Sequence, residues 1–202
     1  MDRNDPRAIR TRQVVLEATV TLLAERGVEA ATMDAVARAA GISRSTLYRH
    51  WPERLPLLVD AVEHVAERFS RSHVVEPTPG EGLEEALQRV IGGLGAGLRS
   101  AEWGPIAGGL AGAAEHDPAI AELYQRYVSG RRRVVVDLLR EARGRGELPA
   151  SLDPEWVTDL FAGPLYYNRL VLHRPWDEEE VVAHVRKTLA LVCSSPAHHV
   201  TP

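Results

Sequence analysis

Residues 32–54, TMDAVARAAGISRSTLYRHWPER, constrain the fold of this chain more than any other stretch. A short helical segment, Thr32 to Ala40, meets Gly41-Ile42 and then a second short segment rich in Ser, Thr, Arg, Tyr and His. Two short helices joined by a tight, Gly-containing turn form a helix-turn-helix. Each step has a local cause. Thr32 stands at an N-cap position, where its hydroxyl accepts from a backbone N–H that has no partner within the helix. Asp34 lies in the first turn, where negative charge is favoured. Val36, Ala37 and Ala40 supply a small apolar face. Gly41 follows the helix end, where a left-handed backbone costs little only for Gly. Ser43 can cap the second helix, and Leu47 turns back to the core. Trp51 is expected to be a core plug, and Pro52 stops the segment.

In a helix-turn-helix the first helix crosses the DNA backbone and the start of the second enters the major groove. The segment Ser43-Arg44-Ser45-Thr46 therefore falls where base edges are read. Arg44 is the expected base reader, because a guanidinium can take guanine O6 and N7 together. For Arg44 the alternative is a solvated surface arginine.

These residues closely resemble the N-terminal pattern of the TetR family of bacterial repressors. The match comprises Thr32, Val36, Ala37, Ala40, Gly41, Ile42, Ser43, Thr46, Tyr48, His50, Trp51, Arg54 and Leu57. Trp51 stands where the family has Phe, and Arg54 where it has Lys. Residues 15–27 resemble the family's first helix, ending at Gly27. The resemblance implies an all-α fold of about nine helices: residues 1–53 a three-helix DNA-binding domain, and residues 54–202 a ligand-binding and dimerisation domain entered through a linking helix at 54–73. It also implies a DNA face of Thr32, Ser43, Arg44, Ser45, Thr46, Tyr48, Arg49, His50 and Arg54. Among these, Thr46, Tyr48, His50 and Arg54 hold phosphates.

Charge is divided along the chain. The whole carries a formal net charge of −4. Residues 1–55 hold nine Arg against seven Asp and Glu, and the rest carries an acidic excess. Positive potential must then be local, on the face of Arg44, Arg49 and Arg54 and on an N-terminal arm with Arg3, Arg7, Arg10 and Arg12. An acidic body limits non-specific adhesion while such a face meets phosphates.

Downstream the pattern is helical throughout. Leu58, Val62, Val65 and Phe69 form one stripe over 54–73. Residues 73–82 read as a turn or loop. Residues 83–99 are apolar but contain Gly92, Gly93, Gly95 and Gly97, each weakening a helix by roughly 1 kcal/mol. Close backbone packing or mobility is expected there. Asp117-Pro118 and Asp153-Pro154 each read as a cap followed by the first helical residue. Gly163-Pro164 suggests a kink. Asp177 caps a last helix with Val181, Val182, Val185, Leu189 and Val192 on one face.

Residues 146–192 resemble one C-terminal subtype of the same family. That resemblance implies a homodimer in which the last two helices pair with their copies. The family resemblance also implies a small-molecule effector. Candidate pocket residues are Trp103, Leu110, Tyr124, Tyr127, Phe161, Tyr166 and Tyr167, which suit an apolar or aromatic compound; for Phe161, Tyr166 and Tyr167, beside the kink, ordinary core packing is the equal alternative. Arg131-Arg132-Arg133 reads as a solvated helix face, with contact to an acidic ligand as the lesser alternative.

Other classes find little support. The eight histidines show no metal-ligand spacing, and His198-His199 reads as a chance pair in a frayed tail. Cys193 lacks a nucleophile context. The run Gly92–Gly97 lacks the strand and the Lys-Ser/Thr ending of a phosphate loop. No catalytic residue, metal or cofactor is expected. No membrane span and no signal peptide are expected either, so a reducing cytoplasm fits. The expected partners are a double-stranded DNA operator, an effector and a second copy of the chain. A helix-turn-helix activator, or a DNA-binding protein without an inducer, is the alternative.

Overall fold

The computed structural model describes residues 6–72 and 80–194. Arg3 of the expected arm, most of the expected loop (73–79) and the His198-His199 tail lie outside the described residues, as does the side chain of Phe69. Among the described residues there are nine α-helices and no strand. None of the helices is long and apolar enough to cross a membrane.

By packing, the chain divides into two compact units, each discontinuous in sequence. The first holds α1 (Pro6–Arg26), a 3-10 turn (Val28–Ala30), α2 (Met33–Ala39), α3 (Arg44–His50), α4 (Arg54–Ser72, as far as Arg71), α6 (Trp103–Ala114) and the first turns of α7 (Pro118–Gly144). Helix α1 packs on α2 and on α6, and α2 packs on α3. Val15, Val20 and Leu23 of α1 are sealed from solvent, as are Leu57, Leu58 and Val62 of α4 and Ile106 and Leu110 of α6. The Leu58–Val62–Val65 stripe is therefore a core face.

Helix α4 is also tied by charge within this unit. Glu17 of α1 accepts from His64 Nε2 (2.8 Å) and from Arg68 Nη1 (2.9 Å), and Arg68 also donates to Glu102. Desolvation works against the Glu17 carboxylate. The bonds from His64 and Arg68 outweigh it, and the carboxyl lies below its usual pKa range.

The second unit holds α5 (Leu83–Arg99), the remainder of α7, α8 (Pro154–Leu170) and α9 (Glu178–Ser194). Helix α5 forms despite its glycines, and one of them shows why. A Cβ on Gly95 would lie 2.9 Å from Val181 Cγ2 and 3.6 Å from Leu165 Cδ2. The glycine lets α5 approach α8 and α9 closely, and burial of Leu87, Ile91 and Leu98 offsets the poor propensity.

The expected caps are in place. Asp153 accepts from Glu155 N (2.9 Å) with Pro154 in the first turn, and Asp117 accepts from Ala119 N (2.9 Å). Asp177 and Glu180 form a reciprocal capping box at 2.8 and 3.0 Å. Helix α8 runs from Pro154 to Leu170 with Pro164 inside it, and Asn168 Nδ2 donates to the Pro164 carbonyl at 2.9 Å.

On α9, Val181, Val185, Thr188 and Val192 are buried, whereas Val182 and Leu189 are half-buried. Cys193 is exposed at the end of this helix.

Candidate nucleic-acid interface and an apolar cavity

The turn between α2 and α3 is built by backbone bonds. Ile42 N donates to Ala37 O (3.0 Å) and Gly41 N to Arg38 O (3.2 Å), with Gly41 at φ +65°. This pairing is the Schellman closure of a helix end, and it requires the left-handed residue that Gly supplies. Thr32 Oγ1 accepts from Ala35 N (3.2 Å) at the start of α2. Ser43 Oγ accepts from Thr46 N (3.1 Å) at the start of α3. Leu47 and Trp51, at 0% and 2% exposure, anchor the inner side of α3. The outer side is left to solvent: Ser43, Arg44, Ser45, Tyr48 and Arg49 are exposed, and Thr46 and His50 are half-buried.

Arg44 does not stand alone on this surface. Its Nη2 donates to Asp34 Oδ2 of α2, across the turn. Both side chains remain largely exposed, at 67% and 44%. An exposed pair of this kind contributes about 0–1 kcal/mol, so exchange for a DNA group is cheap.

At the other end of α3, Asp60 of α4 accepts from Trp51 Nε1 and from Arg12 Nη2, each at 2.5 Å. The Arg12 guanidinium lies 4.8 Å from the centre of the Trp51 ring. One carboxylate thus joins α1, the end of α3 and α4. His50 sits against Trp51, with ring centres 5.7 Å apart. Burial, then the nearby charges of Arg49 and Arg12, hold its imidazole below the usual pKa. A neutral His50 can still donate one hydrogen bond to a phosphate.

Arg54, expected at a phosphate, points its guanidinium inward. Nε donates to Ala31 O (3.1 Å) and Nη2 to Val28 O. It ties down the connection between α1 and α2, where Val28 O also accepts from Ala31 N (3.2 Å). Sequence position gave no sign of this inward turn, because the acceptors lie more than twenty residues away.

The second unit contains a cavity of about 350 Å³ between α5, α7 and α8. Val90, Ile91, Leu94, Val128, Val135 and Ala162 supply most of its wall. The polar lining comes from Tyr127, Arg131, Arg132, Thr158, Asp159 and Tyr166.

Of the seven residues proposed from the sequence for a ligand pocket, Tyr127 and Tyr166 line this cavity. The other five are elsewhere. Phe161 is fully buried and packs edge-on against His184, with ring centres 6.4 Å apart. Tyr167 is 53% exposed on the outer side of α8. Trp103 and Leu110 are core residues of the first unit, and Tyr124 also belongs to that unit.

The aliphatic wall and the two arginines carried no aromatic signal in the sequence. The three successive arginines do not share one environment. Arg133 is exposed, whereas Arg131 and Arg132 are half-buried at the cavity.

Comparison with known proteins covers both units. Residues 15–60 match the family model described as bacterial regulatory proteins, tetR family. Residues 78–188 match that of the tetracyclin repressor-like C-terminal domain. The chain is similar to the uncharacterized HTH-type transcriptional regulator YdeS of Bacillus subtilis, with 31% identity over 170 residues, 84% of this chain and 83% of the relative. It is similar to the HTH-type transcriptional repressor LfrR of Mycolicibacterium smegmatis, with 36% identity over 83 residues, 41% of this chain and 42% of the relative. Among solved structures, it resembles the flavonoid-responsive regulator FrrA at 25% identity and a TM-score of 0.72, covering 92% of this chain and 96% of that one.

Proposed function

The chain belongs to the TetR family of DNA-binding transcriptional regulators, and from that premise we propose a homodimeric repressor that a small apolar or aromatic molecule releases from its operator. The observation that carries the DNA reading is the surface of α3. Its inner side is anchored by Leu47 and Trp51, and its outer side presents Ser43, Arg44, Ser45, Tyr48 and Arg49. In this reading Arg44 leaves Asp34 to read a base. Thr32, Thr46, Tyr48 and His50 meet phosphates. Arg54 acts from behind, by holding the backbone that positions α2.

Regulation here needs no chemistry by the protein. The DNA-contacting residues lie within 1–53, and the cavity lies within 54–202. Two recognition helices of a symmetric dimer meet successive major grooves about 34–36 Å apart. A ligand that prefers a different spacing weakens DNA binding, and DNA weakens the ligand by the same factor.

Helix α7 has residues in both units, which makes it the simplest physical route for that coupling. A flavonoid-responsive relative with this fold supports an aromatic effector. Repression is favoured by the similarity of the N-terminal part to a named repressor.

The dimer reading rests on exposed apolar side chains of the last two helices and the link between them. Trp156, Tyr167, Val171, Leu172 and Leu191 are each more than half exposed. An apolar surface of that kind marks an association site. A cytoplasmic location accords with a DNA-binding role.

The deciding experiment is a footprint of the purified protein on DNA flanking its own gene, at fixed moderate salt, with Tyr48→Ala as control. A protected palindrome that is lost in the variant is the expected result. Protection that persists unchanged in Tyr48→Ala, or a site without two-fold symmetry, would overturn the assignment of α3 in a dimer.

A further inference from the structure

We propose that Arg12 of α1 joins Arg49 and His50 of α3 in one seat for a backbone phosphate of duplex DNA. The proposal rests on the reading of α3 as the DNA-facing helix and adds a contact from α1 to it. The sequence groups Arg12 with Arg3, Arg7 and Arg10 on an N-terminal arm. In the structure it stands instead in the second turn of α1, which begins at Pro6. Arg12, Gln13 and Leu16 of α1 line one groove of the first unit together with Arg49 and His50 of α3. Leu16 is buried, whereas Arg12, Gln13 and Arg49 are exposed and His50 is half-buried. The groove therefore presents polar side chains from two helices to an incoming partner.

Arg12 is anchored from behind. Its Nη2 donates to Asp60 Oδ2 at 2.5 Å, and its guanidinium lies over the Trp51 ring, 4.8 Å from the centre. Asp60 also accepts from Trp51 Nε1 at 2.5 Å. The Asp60 side chain is 25% exposed, and that of Arg12 is 46% exposed. A phosphate does not have to break this anchor. A guanidinium presents donors along more than one edge, so one N–H serves Asp60 while others meet an anion. An arginine already held in one geometry also loses less side-chain entropy on binding.

The three side chains act on one another. Burial lowers the His50 pKa most, and the charges of Arg49 and Arg12 lower it further. Positive potential from two helices thus converges on one ring. Asp60 is the acid joined to this cluster, and one carboxylate does not neutralise two arginines. The neutral His50 adds an N–H donor without adding charge.

Such a site favours an anion, through charge-assisted hydrogen bonds. When α3 lies in a major groove, the anions that flank it are backbone phosphates. A contact of this kind fixes the orientation of the protein on the duplex and carries no sequence information. Arg12 therefore has a different duty from Arg44, although both belong to the same face.

The test is the salt dependence of binding to a random-sequence duplex, followed by fluorescence anisotropy. It compares the full-length wild type with Arg12→Ala, Arg12→Gln, Asp60→Ala and Tyr48→Ala. Each phosphate neutralised by an arginine contributes about 0.9 to the slope of log affinity against log salt. Arg12→Ala and Arg12→Gln should each lower that slope by about 1 per bound protomer. Asp60→Ala cuts the anchor but keeps the cation. Its melting temperature should fall, and its slope should match that of the wild type.

A wild-type slope in Arg12→Ala overturns the seat and leaves the α3 reading standing. So does an equal loss of slope in Arg12→Ala and Asp60→Ala, which would make Arg12 a tie between α1 and α4 only. If Asp60→Ala does not fold, Arg12→Gln decides. Gln keeps an N–H for Asp60 without the charge, so a slope that recovers with Gln also reduces Arg12 to a tie. If the wild type binds no duplex, or Tyr48→Ala binds as the wild type does, the α3 reading itself falls and the seat falls with it.

Discussion

Arg44 and Asp34, ten residues apart on successive helices, are joined by a hydrogen-bonded ion pair across the turn of the helix-turn-helix. The acid holds the guanidinium at the surface from which α3 would meet DNA. Binding a guanine or a phosphate requires Arg44 to leave it. Removal of Asp34 should therefore raise affinity for any duplex. Asp34→Asn is expected to tighten non-specific binding by up to about fivefold at low salt, the equivalent of a surface pair's roughly 1 kcal/mol. Fluorescence anisotropy with a random-sequence duplex checks this, and weaker binding by the variant would count against the competition.

Arg44 itself should carry sequence preference. Arg44→Ala is expected to cost about 1–3 kcal/mol at one base-pair position and to flatten preference there. Selection of sites from a randomised duplex pool by wild type and variant compares the two directly. A uniform loss on all sequences would assign Arg44 to the DNA backbone instead.

Arg54 gives the opposite expectation. Its donors meet Ala31 O and Val28 O, so Arg54→Ala removes both bonds, while Val28 O keeps the one from Ala31 N. A loss of about 1–3 kcal/mol in stability is expected. The slope of log affinity against log salt should stay unchanged. A phosphate contact would instead lower that slope by about 1 and leave the melting temperature alone.

Gly95 and Gly92 should respond to alanine in opposite directions. A Cβ at Gly95 meets Val181, a fully buried side chain, whereas nothing lies within 4 Å of one at Gly92. Gly92→Ala should stabilise by up to about 1 kcal/mol through helix propensity. Gly95→Ala should destabilise by about 1 kcal/mol or more, because overpacking outweighs the same gain. Thermal denaturation of the two variants side by side settles the comparison.

His184 should make stability fall on mild acidification. Burial is the main cause of its lowered pKa, against the opposing bonds to Phe161 O (3.1 Å) and Leu160 O (3.2 Å). The unfolded chain, with a histidine pKa of about 6.5, then binds a proton before the folded chain does. Stability is full above that value and declines as pH drops through it. His184→Gln should show a shallower decline between about pH 7.5 and 5.5 than the wild type, by urea denaturation at each pH. An identical decline in both would mean that other groups control this window.

Local features were legible in the chain because their causes are local. The capping residues Thr32, Ser43, Asp117, Asp153 and Asp177 bond backbone groups two or three residues away, and Gly41 closes its own helix end. The helix-turn-helix and the all-helical class follow from such signals and from periodicity, and both could be read without coordinates. Trp51 was legible as a core plug through the resemblance to the family, which has Phe at that place.

Other matters belonged to tertiary structure alone. Composition and family position offered Trp103, Leu110, Tyr124, Tyr127, Phe161, Tyr166 and Tyr167 as pocket residues without separating pocket from core. Only folding separated Trp103 and Leu110, in the core of one unit, from Tyr127 and Tyr166, at the cavity of the other. Arg54 and Arg44 are both arginines of the same motif. One turns inward to the carbonyls of residues 28 and 31, and the other stays out, paired with Asp34. Sequence determines which backbone groups need partners nearby. Which distant side chains supply them depends on how the helices pack, since burial and long-range contacts have no counterpart in local spacing.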